Sequence, residues 1–306
     1  MAFNPSLDLA LQAAHALAGE QHYPAGALYV VATPIGNRAD ITLRALHVLH
    51  TMDAIACEDT RHTATLLKGY GIDRPLVAVH EHNEMEASVH LIQRLQAGER
   101  IAYVSDAGTP GISDPGARLS HAVAAAGLRC IPIPGASSLA ALVSVAGAMS
   151  GHDAAFAFIG FLPTKGSERA LALRRLADQR HACVVLEAPH RIAQLAHELQ
   201  TLGPRRVTVG RELTKQFEEV VTLPCADLAG WLAAQPHRQR GEFAMVVHGQ
   251  AAAGPGNGLS AEAQRVLGLL LEELPVKTAA RLCAEITGAP KNALYQAALE
   301  RRTSND

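Results

Sequence analysis

The ten residues from 105 to 114, SDAGTPGISD, combine the residue types that often build ligand-binding loops. They follow the apolar run 101–104, which has the length and β-branched content of a buried strand. Glycines in such a loop let a ligand approach the main chain, while the hydroxyl and carboxylate side chains supply hydrogen bonds and negative charge. A helix should follow, with Asp114 as its N-cap and Pro115 as its first residue. The alternative is a tight strand-to-helix turn, for which one or two glycines would suffice.

The apolar runs on either side of this loop predict the elements that position it. Helical stretches alternate with short strands, which predicts right-handed crossovers and a parallel sheet. Asp40 is the expected N-cap of the first helix after a strand. Loops at the carboxyl ends of parallel strands commonly form binding sites, so residues 105–114 are the expected site. The predicted strands of this sheet are 27–32, 54–57, 76–79, 101–104 and 128–133.

A second series of strands and helices begins near residue 155. The run 218–223 follows the strand 207–210 too closely for a helical crossover, so this pair should be antiparallel and the second sheet mixed. The predicted fold class is therefore α/β, with a parallel-sheet domain, a mixed-sheet domain and a C-terminal helical segment. The predicted divisions are a loose helical extension at 1–26, domains at 27–150 and 151–249, and a linker with a helical tail at 250–306.

The tail has apolar residues at helical spacing in three stretches. Its outline resembles a helix-turn-helix, with Gly288 and Pro290 at the turn. The alternative is a three-helix tail that packs on the body or on a partner subunit.

Composition excludes several classes of protein. A net charge of -2 over 306 residues gives no overall attraction to nucleic acid, so a nucleic-acid partner would need a local basic patch. No apolar run approaches the roughly 18 residues that a membrane span needs, and the first residues do not resemble a secretory signal. Five widely spaced cysteines without a C-x-x-C pair indicate reduced, mostly buried thiols and a cytoplasmic protein.

Several common catalytic motifs are missing from the sequence. There is no phosphate-loop motif, the first turn lacks G-x-G-x-x-G, and no Ser, His and Asp constellation is evident. His80 and His82, with Glu81 and Glu84, could be taken for metal ligands, but alternating histidines at a strand end are more often solvated or hydrogen-bonded. We therefore expect no metal.

Basic residues occur where strands of either sheet should end. Together they could form a phosphate-binding rim, although each could equally be solvated or pair with a nearby acid. These residues are Arg61, Lys165, Arg191, Arg211 and Lys215.

Five motifs occur in an order and spacing that resemble the tetrapyrrole methylase superfamily. More narrowly, they resemble its branch that methylates cytidine 2'-oxygens in 16S ribosomal RNA, and the likeness continues into the tail. The motifs are TPIGNRADIT (33–42), CEDTRHT (57–63), SDAGTPGISDPG (105–116), PGASS (134–138) and GFLPTKG (160–166).

The resemblance implies a homodimer that binds S-adenosyl-L-methionine in the cleft between two α/β domains. Phe161 and Leu213 would close over the cofactor from the second domain. The other residues expected to line it are Pro34, Asp106, Gly108, Thr109, Ile112, Ser113, Ser137 and Ser138.

A ribose hydroxyl is a poor nucleophile, so its methylation should need a base or a nearby positive charge. Lys165 and Asp59 are the expected catalytic residues near the acceptor. The expected contacts to the RNA of the 30S subunit are Arg61, Arg191, Arg211 and Lys215.

Two other functions stay open at this point. One is a tetrapyrrole or precorrin methyltransferase, against which the EDTR motif, the first turn and the helical tail argue. The other is a nucleic-acid-binding regulator whose body senses a ligand. Deleting residues 255–306 should abolish nucleic-acid binding by the regulator and leave cofactor binding by the enzyme intact.

Overall fold

The computed structural model describes residues 5–80, 83–112, 116–148, 155–249, 259 and 261–303. The chain divides into two compact units, Met1–Gly249 and Gln250–Asp306. The first unit contains two five-stranded sheets, and the second contains helices. Because both sheets lie in the first unit, the predicted domain boundary near residue 150 remains a prediction.

The first sheet is parallel, as its apolar runs predict. Its order is β3-β2-β4-β1-β5, and every observed pairing is parallel. The interior strands are buried on both faces, which explains why they read as continuous apolar runs. The strands are β1 (Ala27–Val31), β2 (Ala54–Cys57), β3 (Leu76–Ala78), β4 (Arg100–Val104) and β5 (Arg129–Ile133).

Six helices accompany these strands among the described residues. One predicted cap is wrong: Thr42, not Asp40, caps α2 by accepting a hydrogen bond from the Ala45 N–H. Asp40 ends a short 3-10 helix, and the following Ile41 is extended, so the α-helix cannot start earlier. The helices are α1 (Pro5–Ala18), α2 (Leu43–Thr51), α3 (Thr60–Lys68), α4 (Glu84–Gln96), α5 (Gly116–Ala125) and α6 (Ser138–Ala146).

The expectation that the N-terminal extension is loose is wrong. Ala14 of α1 is fully buried in the same core cluster as Leu46 and Leu49 of α2. Leu11 and Tyr23 pack against that cluster as well. Burial of these apolar groups joins the extension to the first sheet's core.

The second sheet is mixed, which confirms the prediction from the close spacing of its later strands. β6 and β7 are parallel, whereas β10 is antiparallel to β7 and β8, and β8 is antiparallel to β9. The strands are β6 (Phe156–Phe161), β7 (Ala182–Glu187), β8 (Arg206–Arg211), β9 (Glu219–Pro224) and β10 (Phe243–Val247), in the order β6-β7-β10-β8-β9. The accompanying helices are α7 (Gly166–Ala177), α8 (Ile192–Leu199) and α9 (Leu228–Ala233).

One apolar cluster connects the helix after the first sheet to the second sheet. Leu142 of α6 is fully buried with Val184, Val246 and Leu213, and Ile35 from the loop after β1 packs against them. The two sheets therefore share a packed contact beside the loops described below.

The described residues of the second unit form three helices with a core of their own. Leu267, Ala280 and Leu294 are buried together, one from each helix. Gly288, at φ +69°, ends the second helix in the left-handed conformation that favours glycine. The helices are α10 (Ala261–Glu273), α11 (Val276–Thr287) and α12 (Lys291–Thr303).

The five cysteines are unpaired thiols. Four are buried and Cys130 is half-buried, in agreement with the expectation that most serve as small apolar residues. Burial raises the pKa of the Cys225 thiol to about 11. Among the described helices, none is both long enough and apolar enough to cross a membrane.

Candidate cofactor and substrate site

Three loops of the first sheet meet at its carboxyl edge. The backbone of Thr33, after β1, exchanges two hydrogen bonds with Gly108, after β4, at 2.9 and 3.0 Å. The Thr109 hydroxyl donates to the Ala136 carbonyl after β5, at 3.0 Å. These bonds tie the loop after β4 to the loops after β1 and β5.

Gly108 is the residue that permits this close approach. Its φ is +79°, and an added Cβ would lie 3.2 Å from Cγ2 of Ile35. A side chain here would meet both backbone strain and a packed neighbour. The loop's glycine content therefore has a specific structural cause, as expected for a binding loop.

Asp106 and Asp59 are brought together by two neighbouring strands. The Asp59 N–H donates to Oδ1 of Asp106 at 3.3 Å. Asp59 also caps α3, since its Oδ1 accepts from the N–H groups of Arg61 and His62 at 2.8 and 3.2 Å. These hydrogen bonds lower the pKa of the Asp59 carboxyl, so it is a weaker base than an ordinary aspartate.

The N-terminus of α6 faces the same group of loops. Ser137 caps this helix by accepting from the Ala140 N–H at 3.4 Å, and Ser138 is its first residue. The N-terminus of a helix carries free N–H groups and partial positive charge, which favour an anionic ligand group.

The carboxyl edge of the second sheet meets the first at the loop after β8. Because β7 and β8 are both antiparallel to β10, and β6 is parallel to β7, the strands β6, β7 and β8 all end at one edge. The Asn37 N–H donates to Oγ1 of Thr214 at 3.2 Å across the two sheets. The stem of Lys215 packs on Gly36, where an added Cβ would lie 2.4 Å from Cγ of the lysine.

The loop after β8 has an unusual backbone. Glu212 and Thr214 have φ values of +51° and +67°, and they flank Leu213. Residues other than glycine rarely adopt this region, and a β-branched threonine does so at a cost of about 1–3 kcal/mol that the surroundings must offset. Glu212 supplies part of that offset, because its Oε1 accepts from the Glu242 N–H and from Nζ of Lys215.

The cations predicted to form a rim differ in their surroundings. The Arg61 side chain is 93% exposed, with Asp59 at 3.8 Å. Lys165 is exposed at the N-cap position of α7, and its amine has no partner among the described residues.

The remaining three predicted cations have intramolecular partners. Nε of Arg191 lies 3.0 Å from Oε1 of Glu187. Arg211 is 5% exposed and donates to the carbonyls of Arg240 and Phe217. Nζ of Lys215 lies 3.0 Å from carboxylate oxygens of both Glu212 and Glu242. Each of these cations would have to share its charge between an internal partner and a phosphate.

The other predicted cofactor residues lie on these loops, with one outside the described part of the chain. Pro34 is buried beside Thr33, Ile112 is exposed on the loop after β4, and Phe161 is 54% exposed at the end of β6. Leu213 is 8% exposed and belongs to the apolar cluster of α6. Ser113 lies outside the described residues, as do Asp114 and Pro115.

Several contacts at this edge were not predicted from the sequence. Asn37 and Thr214 join the two sheets, and Arg169 lies in a buried ion network with Glu187. Only the motif TPIGN drew attention to Asn37. Nothing in the sequence marks Thr214 as a left-handed residue, since that conformation is imposed by tertiary contacts.

The structure gives no support for a metal centre in the part of the chain that it describes. No cluster of three or more His, Cys, Asp or Glu there could hold a metal ion. Glu81 and His82, from the alternative metal interpretation, lie outside the described residues.

Comparison with known proteins identifies the family. The model for Tetrapyrrole (Corrin/Porphyrin) Methylases matches residues 27–229. The chain therefore belongs to the tetrapyrrole methylase family. A second model, the RsmI C-terminal HTH domain, matches residues 257–302 of the tail.

More specifically, the chain is similar to curated proteins called Ribosomal RNA small subunit methyltransferase I. The protein of that name from Pseudomonas aeruginosa is 47% identical over 280 residues, covering 91% of this chain and 98% of the relative. The one from Escherichia coli O157:H7 is 44% identical over 279 residues, covering 90% and 96%. The likeness spans both units of the chain.

Solved structures agree with the fold. The methyltransferase CobJ superposes with a TM-score of 0.54 at 20% identity, covering 76% of this chain and 98% of that one. Diphthine synthase superposes with a TM-score of 0.54 at 15% identity, covering 72% and 90%. At these identities the likeness concerns the fold alone.

Proposed function

We propose that this protein uses S-adenosyl-L-methionine to methylate the 2'-oxygen of a cytidine in small-subunit ribosomal RNA. The observation that carries the proposal is the identity of 47% to a relative called Ribosomal RNA small subunit methyltransferase I, across 98% of that relative's length. The tetrapyrrole alternative has only fold-level support from solved structures below 25% identity. The regulator alternative is not favoured, because both relatives compared above are called methyltransferases and are matched along 96% or more of their length.

The loops at the carboxyl edge fit this cofactor. Asp106 presents an exposed carboxylate that suits ribose hydroxyls or an ammonium group, and the α6 N-terminus suits a carboxylate. The left-handed Gly108 lets the loop after β4 bond to Thr33, with no side chain in the way of that contact. We propose Pro34, Thr109, Ile112, Ser113, Ser137 and Ser138 as further lining residues, with Phe161 and Leu213 closing the site.

The chain's own groups have to align and activate the acceptor. When bound, the cofactor would supply a sulfonium methyl group for transfer to the ribose oxygen, with the sulfur as leaving group and the hydroxyl proton lost to solvent. Lys165 donates a hydrogen bond to the acceptor oxygen and stabilises the negative charge that grows as the proton leaves. Alignment of the acceptor with the methyl group contributes the remaining rate acceleration, since positioning alone can lower the barrier by several kcal/mol.

Asp59 acts mainly as the cap that orients α3 in this proposal. Its lowered pKa makes it a poor proton acceptor, and its hydrogen bonds place Arg61 at the edge of the site. Arg61 is the leading RNA contact because its guanidinium is almost fully exposed. Contacts from Arg191, Arg211 and Lys215 stay predictions, as does the choice between free 16S rRNA and the 30S subunit.

We also propose a homodimer in the cytoplasm. The outer strand β6 carries the exposed side chains Phe156, Ile159 and Phe161, and α6 exposes Val145. An edge strand with apolar side chains is a surface that proteins usually cover. A second copy of the chain is the partner that the family resemblance implies.

Transfer of a labelled methyl group tests the proposal. The protein is incubated with radiolabelled S-adenosyl-L-methionine and either 30S subunits lacking the modification, free 16S rRNA or a tetrapyrrole precursor. Label in RNA is the expected result. Label in the tetrapyrrole alone would contradict the substrate and leave the reaction class intact, and label in none of them despite cofactor binding would favour the regulator.

A further inference from the structure

A buried ion network lies directly behind the loop that carries Lys165. Arg169 of α7 is 3% exposed, and Glu187 at the end of β7 is 2% exposed. Nη2 of Arg169 lies 3.8 Å from Oε2 of Glu187, and Nε of Arg191 lies 3.0 Å from Oε1 of the same carboxylate. The Glu187 carboxylate thus pairs closely with Arg191 and lies within ion-pair distance of Arg169, at which it makes no hydrogen bond.

Both arginines also bind backbone carbonyls of the loop after β6. Nη1 of Arg169 donates to the Pro163 carbonyl at 2.8 Å. Nη2 of Arg191 donates to the Leu162 carbonyl. Leu162 itself is 2% exposed, so this part of the loop is anchored at consecutive residues. Lys165 follows two residues later and projects into solvent.

The outer end of the network is fixed as well. Glu198 of α8 accepts from Nε and Nη2 of Arg169, at distances between 2.6 and 3.0 Å, and from Nε2 of Gln194 at 2.9 Å. This paired geometry holds the Arg169 guanidinium in a single orientation. The orientation of the guanidinium in turn sets the position of the Pro163 carbonyl.

Stability alone does not account for such an arrangement. Burying charged groups is costly, and apolar side chains of similar size often stabilise a core at least as well. What the network provides is geometry, because it fixes two carbonyls at the carboxyl edge where the strands β6, β7 and β8 end. A catalytic side chain must be attached to a backbone that is held in a fixed position, since small displacements of a reacting group reduce the rate strongly.

We propose that Arg169, Glu187 and Arg191 are positioning residues, which clamp the loop after β6 and thereby hold the Lys165 amine at the acceptor oxygen. The inference rests on the proposed function for its catalytic part. The clamp itself is a property of the cofactor-free chain and can be tested separately.

The catalytic part is tested by a double-mutant cycle. Arg191→Lys keeps the charge but replaces a forked side chain, which reaches Glu187 and the Leu162 carbonyl together, with a single nitrogen. We expect kcat to fall about tenfold while KM for the cofactor stays within about twofold. In a Lys165→Ala background the same change should lower kcat by less than about twofold, because the group being positioned is gone. Arg174→Lys, an exposed site on α7, is the matched control and should have no effect.

The clamp is tested by NMR relaxation in the cofactor-free protein. Arg191→Lys and Glu187→Gln should lower the backbone amide order parameters at residues 164–166 from about 0.85 to below about 0.6 and leave β7 and β10 unchanged. If Glu187→Gln does not fold, Arg191→Lys alone decides this test. Unchanged order parameters at 164–166 overturn the clamp.

The kinetic experiment tests the positioning of Lys165, and the experiment on the cofactor-free protein tests the clamp. An equal loss of kcat in both backgrounds shows a general structural role and overturns the positioning of Lys165. Absence of methyl transfer by the wild-type protein overturns the proposed function together with the role of Lys165, while the order parameters still decide the clamp.

Discussion

The backbone N–H of Asn37 donates to the Thr214 hydroxyl at 3.2 Å, which joins the loop after β1 to the loop after β8. These residues lie 177 positions apart in the sequence. The bond brings the left-handed Thr214, and with it Leu213, to the edge of the first sheet. The proposed cofactor site is thus assembled from both sheets of one compact unit.

Gly36→Ala should disturb this junction. The new Cβ would lie 2.4 Å from Cγ of Lys215, whose amine is tied to Glu212 and Glu242, so the loop after β8 must shift. We expect KM for the cofactor to rise roughly tenfold and the melting temperature to fall, because the displaced Leu213 both closes the site and packs in the apolar cluster of α6. Steady-state kinetics and thermal unfolding measure both.

Gly230→Ala is the matched control for that change. A Cβ on Gly230 would meet open space on α9. This variant should keep wild-type kinetics and melt at the same or a slightly higher temperature, since alanine is the better helix former. An unchanged KM in Gly36→Ala would show that the junction does not bear on cofactor binding.

Arg61→Ala should weaken RNA binding with little effect on the cofactor. Its exposed guanidinium can contact a phosphate, and loss of one such contact reduces the slope of log affinity against log salt by about one. Filter binding of rRNA at several salt concentrations measures the slope. Arg129→Ala is the control, because Arg129 is exposed at the opposite, amino-terminal end of β5. Equal slopes for Arg61→Ala and the wild type would remove Arg61 from the RNA surface.

Stability should fall as the pH drops below about 6.5, the ordinary pKa of histidine. Burial and the neighbouring His15 lower the pKa of His47, and burial and Arg74 lower that of His50. The unfolded chain therefore takes up protons that the folded chain resists, so the contribution is constant above pH 6.5 and is lost below it. His47→Gln should reduce the slope of unfolding free energy against pH between pH 6.5 and 5. Denaturant titrations at several pH values measure this slope.

The exposed His121 of α5 provides the comparison. His121→Gln should leave that slope unchanged. A wild-type slope in His47→Gln would mean that the contact between α1 and α2 does not control the acid response.

Local patterns were enough to predict the two sheets. The apolar run 101–104 predicted a strand of the parallel sheet, and the structure confirms it. The close spacing of 207–210 and 218–223 predicted an antiparallel pair, which the structure also confirms. Both predictions depend only on residues that are close in the sequence. Asp40 and Thr42 illustrate the limit, because both are good caps and only the extended backbone of Ile41 decides between them.

The candidate site was predictable where its chemistry is local. Gly108 was singled out because glycine tolerates the left-handed backbone that the loop adopts. The ion-pair partners of Arg191 and Lys215 could not be predicted, since the sequence does not show which acidic residue a charged side chain will contact in the fold. Docking of α1 was missed for the same reason, because Ala14 is buried only by the core that the rest of the chain provides.

The proposed reaction is tested most directly by nucleoside analysis of small-subunit RNA after reaction with the wild-type protein and with Asp106→Ala. RNA from cells that lack the modification is digested, and its nucleosides are separated by mass. We expect 2'-O-methylcytidine after reaction with the wild-type protein and little or none with Asp106→Ala. A methyl group on a base, or equal 2'-O-methylcytidine from both proteins, would contradict it.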